Sequence, residues 1–515
     1  MPTAWLPNRR DWCLAVVALA MCALFLAAHA VYPGVPSVAE VGGWRDWNDQ
    51  GLYLRASRAW QAADFSRSEH WYPPGYPLLG AVFAHVTPRD RFLLPNLGCL
   101  LFSLLACTSL AARLFPNIRW ARFIGGAAFV VASVGTLPGL RLWLVPWTTT
   151  PATACILVAL VAVLRLSESP GAGRALAAGA AMGAIVLFRP GDLMPVALAG
   201  GLVMLPVLRR LGVLPACVVV ASAASASACL AGVTFGLIAA TSGFGPDTYY
   251  GQSAAVGFEW RLLPLRFVTL VLDPRPLFDG VGAERADPGQ HRGLAEVFVW
   301  VLPGLAAGVA LSASRHARRV HVVLAVWAAA HLALLLCYRD LHILGFWAYG
   351  NTHYFKAAQP VLLLLAVAFG VGLLDRSVRW REVGAALLAL AGLACWRAEL
   401  VAGGVGNFSR IQTATIMSGR GSWAAFYSGA HGLRIGELEF RHNDDFKLYP
   451  RAGDFLVVPL RPLPAGDAIL TTDPGITVGT TPGRVAHQVI VFGLPCLYGL
   501  AGDRICGHLG APVIE

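Results

Sequence analysis

Long apolar runs, broken at short intervals by arginines, set the pattern of this chain. A helix needs about 20 apolar residues, and as few as ~17, to cross ~30 Å of hydrocarbon. That ruler predicts eleven spans, near 13–30, 92–112, 121–138, 149–165, 173–188, 193–208, 213–240, 295–313, 320–337, 358–374 and 383–396. Residues 213–241 carry no charge at all, which neither a solvated nor a disordered segment would tolerate. From residue 397 the pattern changes to short alternating stretches, Gln412 to Met417, Phe455 to Leu460, Ala468 to Thr472 and Val485 to Phe492, bounded by Gly, Pro and Asp. Those stretches predict strands. The predicted architecture is an all-α polytopic membrane module over 1–396 with an outer loop at 31–91, followed by a small β-rich extracytoplasmic domain over 397–515.

Composition agrees with this reading and sharpens it. The 515 residues are 56% hydrophobic and 13% charged, against roughly 25% charged in soluble domains, so a soluble globular enzyme is excluded. The formal charge of +11 would suggest a nucleic-acid partner in a soluble chain. Here, however, lysine occurs only at Lys356 and Lys447, and no basic patch is interleaved with aromatics; the partner is the lipid bilayer and not nucleic acid.

The arginines sit in alternate connections: Arg9 and Arg10; Arg113, Arg119 and Arg122; Arg165 and Arg174; Arg209 and Arg210; Arg315, Arg318 and Arg319; Arg376, Arg379 and Arg381. By the positive-inside rule all six connections are cytoplasmic. The amino terminus is then inside, and the connections 31–91, 241–294 and 338–357 and the tail are outside, in a multi-pass protein of the plasma (inner) membrane. Ala28-His29-Ala30 looks like a signal-peptidase site, but the eighteen residues before its end exceed an h-region of ~7 to 15, so an uncleaved anchor is expected. Nine of the eleven cysteines lie in or beside spans, where cysteine packs as a small hydrophobe. Cys496 and Cys506 sit in the outer tail, where an oxidising compartment would allow a disulfide. No CxxC or His/Cys spacing points to a metal, and no internal repeat marks a solenoid or inverted-repeat transporter.

Candidate chemistry concentrates in the first outer loop, Gly43 to Pro77. Asp49, Tyr53, Ser57 and Trp60 recur at helical spacing, which predicts a helix on the membrane surface with aromatics on one face. Trp71-Tyr72-Pro73-Pro74-Gly75-Tyr76-Pro77 cannot continue a helix; a rigid aromatic turn feeding a short helix, Leu78 to Val86, is expected. From the residues alone, Asp46 or Asp49 as a helix cap and the prolines as a membrane-edge turn explain the loop equally well.

Asp49-Gln50-Gly51-Leu52-Tyr53, followed by Tyr72-Pro73-Pro74-Gly75-Tyr76-Pro77-Leu78, resembles the first outer loop of the GT-C superfamily of glycosyltransferases, which includes the protein O-mannosyltransferases and the lipid A aminoarabinose transferases. Those enzymes show Asp-Glu-x-x-Tyr and then a Pro-Pro-x-Tyr type turn. Ala111 to Phe115, Gly183 to Pro190 (GAIVLFRP) and Asn351 to Val361 (NTHYFKAAQPV) extend the resemblance over most of residues 1–375. It implies an inverting transfer of a sugar from a polyprenyl-phosphate donor to a protein, lipid or glycan acceptor at the outer face.

An acceptor hydroxyl needs a carboxylate to take its proton. The resemblance gives Asp49 that role, with Asp46 in reserve. Gln50, where close families often carry glutamate, argues against a paired-carboxylate metal site, and no cofactor is expected. The leaving phosphate needs fixed donors: Arg189 could give bidentate contacts and Lys356 a point charge, although either could instead simply snorkel to the interface. Tyr53, His70, Tyr72, His353 and Tyr354 complete the expected donor and acceptor site. Arg339, Asp340 and His342 lie in the same late connection as His353. The outer connection 244–292, with Asp247, Tyr249, Tyr250, Glu259 and Arg261, suits an acceptor-binding loop. With no Rossmann glycine fingerprint and no P-loop, a soluble nucleotide-sugar site is not expected. A transporter or lipid flippase is the competing reading; it would place ionisable residues deep within spans. A non-catalytic scaffold is the third.

Overall fold

The computed structural model describes residues 9–31, 48–88, 90–272, 293–314, 317–338, 341 and 351–374, with short strand segments beyond 414. Its helices are α1 (Arg9–Val31), α2 (Asn48–Gln61), α3 (Gly75–Phe83), α4 (Leu93–Leu114), α5 (Ala121–Ser133), α6 (Leu137–Leu144), α7 (Thr149–Glu168), α8 (Ala172–Val186), α9 (Leu193–Leu208), α10 (Val213–Ala240), α11 (Tyr249–Val256), α12 (Leu262–Arg266), α13 (Leu294–Val297), α14 (Val301–Ala313), α15 (Arg319–Cys337) and α16 (Ala358–Leu374). Among the described residues six helices are long and apolar enough to cross a membrane: Trp12–Ala30, Leu93–Leu114, Thr149–Glu168, Pro190–Leu208, Val213–Ala240 and Arg319–Cys337. Shorter apolar helices, Ala172–Val186, Val301–Ala313 and Ala358–Gly372, stand beside them. The chain is a multi-pass, mostly helical membrane protein.

Two expected spans differ from the pattern read in the sequence. The third, predicted as 121–138, stops at Ser133, and the chain turns by 86° into α6. Thr136 caps the new helix by accepting from the Gly139 N–H at 3.1 Å. Pro138, which has no N–H to give, sits in the first turn of α6, where none is needed. The eighth, predicted as 295–313, is broken into α13 and α14. Gln359 of α16 fastens Trp300, between the two pieces, by accepting from the indole Nε1–H at 3.0 Å.

Packing orders the rest. α10 would run about 42 Å at 1.5 Å per residue, and its apolar side chains, such as Val218, Val220, Val233 and Phe235, are exposed. These face lipid. Its other side meets α8, where a Cβ on Gly179 would stand 2.1 Å from the Ala223 carbonyl oxygen; only glycine lets the two backbones approach so closely. The central core gathers Phe129, Trp143, Phe298, Trp327 and Phe355, all buried. His29 near the end of α1 holds Asp90, Nε2 to Oδ2, at 2.6 Å.

The two ends of the bundle are distinct. Arg113 at the end of α4 grips Glu168 at the end of α7, Nε to Oε1 at 2.7 Å and Nη2 to Oε2 at 3.2 Å. Arg319 at the start of α15 donates to the Ser167 carbonyl. Three of the arginine-rich connections therefore share one end. The start of α7, the end of α8, the α2–α3 loop and residues 351–356 gather about 30 Å away along α7. In the tail, the described strand Phe455–Pro462 pairs antiparallel with Val485–Val491. The expected span 383–396, Asp46, Arg339, Asp340, His342, Cys496 and Cys506 lie outside the described residues.

Candidate active site

The expected surface helix is α2, and Asp49 lies in its first turn. The expected turn is realised too, with its helix starting at Gly75 rather than Leu78, so that Pro77 falls in the first turn, where proline is tolerated. The Gly75 N–H donates to the Leu187 carbonyl at 3.0 Å, and a Cβ on Gly75 would lie 2.6 Å from that oxygen. Glycine here lets the turn close onto the end of α8, which brings Tyr72 and Arg189 to one place.

The Tyr72 hydroxyl donates to Asp49 Oδ1 at 2.5 Å. Charge-assisted O–H···O⁻ bonds have such lengths, and this one holds the carboxylate from the side of the proline turn. Tyr53, one helical turn beyond Asp49, is buried and shares a hydrogen bond with Thr148. Its ring meets Tyr72 at 4.8 Å and Tyr76 at 5.4 Å between centroids. Burial, with the Asp49 charge beside it, pushes the Tyr53 phenol well above its ordinary pKa, so it stays neutral. Tyr76 stacks on Phe92 at 4.4 Å and donates to Asn96 Oδ1 at 2.8 Å, fixing α3 on α4. Gln50 is fully buried and donates from Nε2 to the Pro146 carbonyl at 3.1 Å. An ionised glutamate could not give that hydrogen bond and would face a carbonyl oxygen instead.

Arg189 enters from the end of α8. Its Nε donates to Asp192 Oδ2 at 2.8 Å, and its guanidinium lies over the Tyr354 ring at 4.6 Å. Burial disfavours the charge, but Asp192, with Tyr354 and Tyr249 nearby, more than compensates and holds the Arg189 pKa above its ordinary value. The expected cation is therefore present, but tied to a buried carboxylate three residues on. Proline and glycine between them, Arg-Pro-Gly-Asp, make the short turn that this pairing needs.

The segment 351–356 supplies the other side. His353 stacks on Trp147 at 3.9 Å and its Nδ1 hydrogen-bonds Thr149 Oγ1 at 3.0 Å. Burial and then the Arg189 and Lys356 cations hold its pKa well below the ordinary histidine value, leaving a neutral imidazole. Lys356 is buried; its Nζ donates to Thr150 Oγ1 at 2.6 Å and lies 5.0 Å from the Trp143 ring centre. Burial pushes its pKa well down.

Asp49, Tyr53, Tyr72, Arg189, His353 and Tyr354 thus come together from three separate parts of the chain, with Lys356 within electrostatic reach of His353. His70 does not join them. Its Nε2–H donates to the Asp64 carbonyl at 2.7 Å and its ring meets Trp60 at 5.0 Å, closing the end of α2. One participant, Asp192, was not singled out in the sequence, and a second, Tyr249, was named there only as part of the 244–292 connection. Asp192 was detectable as a carboxylate three residues from Arg189. Tyr249, whose ring lies 5.0 Å from Tyr72, gave no signal beyond its place in a long outer connection.

No family model matches the chain and no curated protein matches it. Solved structures with a similar fold include the crystal structure of ArnT from Cupriavidus metallidurans bound to undecaprenyl phosphate, at 15% identity over 75% of this chain and 64% of that one, with a TM-score of 0.46. The apo state of the same protein gives 17% identity over 76% and 64%, with a TM-score of 0.46. The arabinosyltransferase EmbB from Mycobacterium smegmatis gives 15% identity over 100% and 53%, with a TM-score of 0.38. The chain spans less than two thirds of the length of these proteins.

Proposed function

We propose that the protein is an integral-membrane GT-C glycosyltransferase that moves a sugar from a polyprenyl-phosphate donor to an acceptor hydroxyl at the extracytoplasmic face. The observation that carries this reading is a carboxylate, Asp49, held by the Tyr72 hydroxyl at 2.5 Å, in one aromatic cluster with a half-buried arginine, Arg189. A base and a phosphate-binding cation on the same membrane-edge cluster suit attack by an alcohol on a sugar whose leaving group is a lipid phosphate.

Asp49 accepts the acceptor's proton as its oxygen attacks the anomeric carbon. The bond from that carbon to the phosphate oxygen breaks, with inversion, and the electron pair leaves with the phosphate. Arg189 meets the growing phosphate charge. Fixed donors serve here better than water, because they need no reorganisation as charge develops. Asp192 and Tyr354 hold the guanidinium in place, and the neutral His353 and Tyr53 pack in the same cluster without adding charge. Lys356 supports this cluster through Thr150 and Trp143. Asp46 remains the reserve base. The arginine-rich end is cytoplasmic, and the tail 397–515 forms a β-rich outer domain. The plasma membrane is the site of action.

Replacing Asp49 by Asn tests the reading. Sugar transfer from a synthetic polyprenyl-phosphate sugar should fall by about 10²-fold or more, while binding of that donor changes little. Full transfer by Asp49→Asn removes the base assignment.

A further inference from the structure

His331 is an imidazole buried inside the α15 span, 1% exposed, and the function proposed above does not use it. Polar side chains at such depth are costly and persist where a partner or a function holds them. Its Nε2 lies 3.2 Å from the Tyr354 carbonyl oxygen. A carbonyl can only accept, so Nε2 carries the proton, and the tautomer is fixed. The ring stacks on Trp327, one turn earlier in α15, at 5.1 Å and 18°, so packing fixes its plane as well. His331 also lies within electrostatic reach of Asp192 and Arg189.

Tyr354 is the joint of the site. Its ring carries the Arg189 guanidinium at 4.6 Å and meets His353 at 4.2 Å. It sits in a single 3-10 turn, Asn351–Phe355. So short a turn needs anchors from outside: His353 on Thr149 and Lys356 on Thr150 hold it by side chains, and the His331 Nε2–H on the Tyr354 carbonyl holds its backbone.

We propose that His331 is a positioning residue for the donor phosphate: it pins the Tyr354 backbone from within the span and thereby sets the platform on which Arg189 is aimed. This rests on the reading of Arg189 as the phosphate-binding cation. The group acts through a hydrogen bond, not through packing alone or charge, and two substitutions separate those roles. His331→Phe keeps the stack on Trp327 and loses the donor. His331→Gln loses the stack and places an N–H donor near the position of Nε2.

The experiment uses the full-length protein in lipid nanodiscs, with undecaprenyl phosphate as the probe. Affinity is read by native mass spectrometry and pinning by amide hydrogen exchange across residues 351–356. His331→Phe should weaken probe binding by up to about tenfold, the upper end for loss of one neutral hydrogen bond, and should speed exchange in that segment. His331→Gln should restore both to within about twofold of the native protein. Native-like affinity and exchange in a folded His331→Phe variant would overturn the proposal. So would the reverse order, with Phe retained and Gln impaired, which would mark His331 as a packing residue. Should the native protein and Arg189→Ala bind the probe equally poorly, the phosphate-site reading fails and takes this proposal with it; should native bind, Arg189→Ala fail and His331→Phe bind normally, only the His331 proposal falls.

Discussion

Arg189→Ala is the perturbation with the most readable consequence. The guanidinium makes one bond to Asp192 at 2.8 Å and lies over Tyr354, so its remaining N–H groups are the ones offered to a phosphate. A hydrogen bond to a charged group is worth ~1.5–3 kcal/mol, and 1.4 kcal/mol is tenfold in affinity. Truncation should therefore raise the Kd for undecaprenyl phosphate by about 10- to 150-fold. A second effect accompanies it: Asp192, with a side chain only 5% exposed, loses its ion partner. An uncompensated buried charge of this kind costs ~3–5 kcal/mol, so the single variant should also melt earlier. Adding Asp192→Ala should recover the stability but not the affinity, since it removes the orphaned acid without restoring a phosphate donor. Lipid titration by native mass spectrometry, with melting in detergent as the control for folding, reads both effects. Unchanged affinity in a folded Arg189→Ala protein would mean that the guanidinium does not bind the phosphate.

Three further outcomes follow from named contacts. Tyr72→Phe keeps the ring contacts with Tyr53 and Tyr249 and removes the donor to Asp49; transfer should fall at least about tenfold with donor affinity within about twofold, and an equal loss of both would mean that the hydroxyl serves binding. Gly75→Ala puts a Cβ 2.6 Å from the Leu187 carbonyl oxygen; overpacking costs ~1–3 kcal/mol, so both the melting temperature and the affinity for the lipid phosphate should drop, and a native-like protein would show that the turn can open freely. His353 has a folded pKa below its ordinary 6.5, so the unfolded chain binds the proton more readily. Its contribution to stability is complete above about 6.5 and is lost as pH falls toward the folded value, with a slope approaching ~1.4 kcal/mol per pH unit. Melting between pH 7.5 and 5.5 should show this slope in the native protein and a smaller one in His353→Gln.

The sequence was most legible where one physical requirement dominates. Crossing hydrocarbon demands length and apolarity, so α4, α7, α9, α10 and α15 fall within a few residues of their predicted bounds. Breaks were harder to read. The chain bends at Thr136 and Pro138 because a cap and a proline start a new helix there, within a window whose composition stays apolar. In the site, Asp49, Tyr53 and Tyr72 could be grouped because they share one loop. Arg189 and residues 351–356 could be named only by resemblance, since their meeting depends on helix packing that no local pattern encodes. Lys356 shows the limit most clearly: a lone lysine beside an apolar run reads as a cation at an interface, yet it is buried and hydrogen-bonded to Thr150. His70 reads as a site residue from its place beside the proline turn, and is instead bound to Asp64.

The most direct test of the account is native mass spectrometry of the purified full-length protein, without added lipid. A co-purifying polyprenyl phosphate or polyprenyl-phosphate sugar, whose mass would also report the sugar, is expected, together with its loss from Arg189→Ala. A protein that carries no such lipid and fails to take up added undecaprenyl phosphate would contradict the account and favour transport or scaffolding.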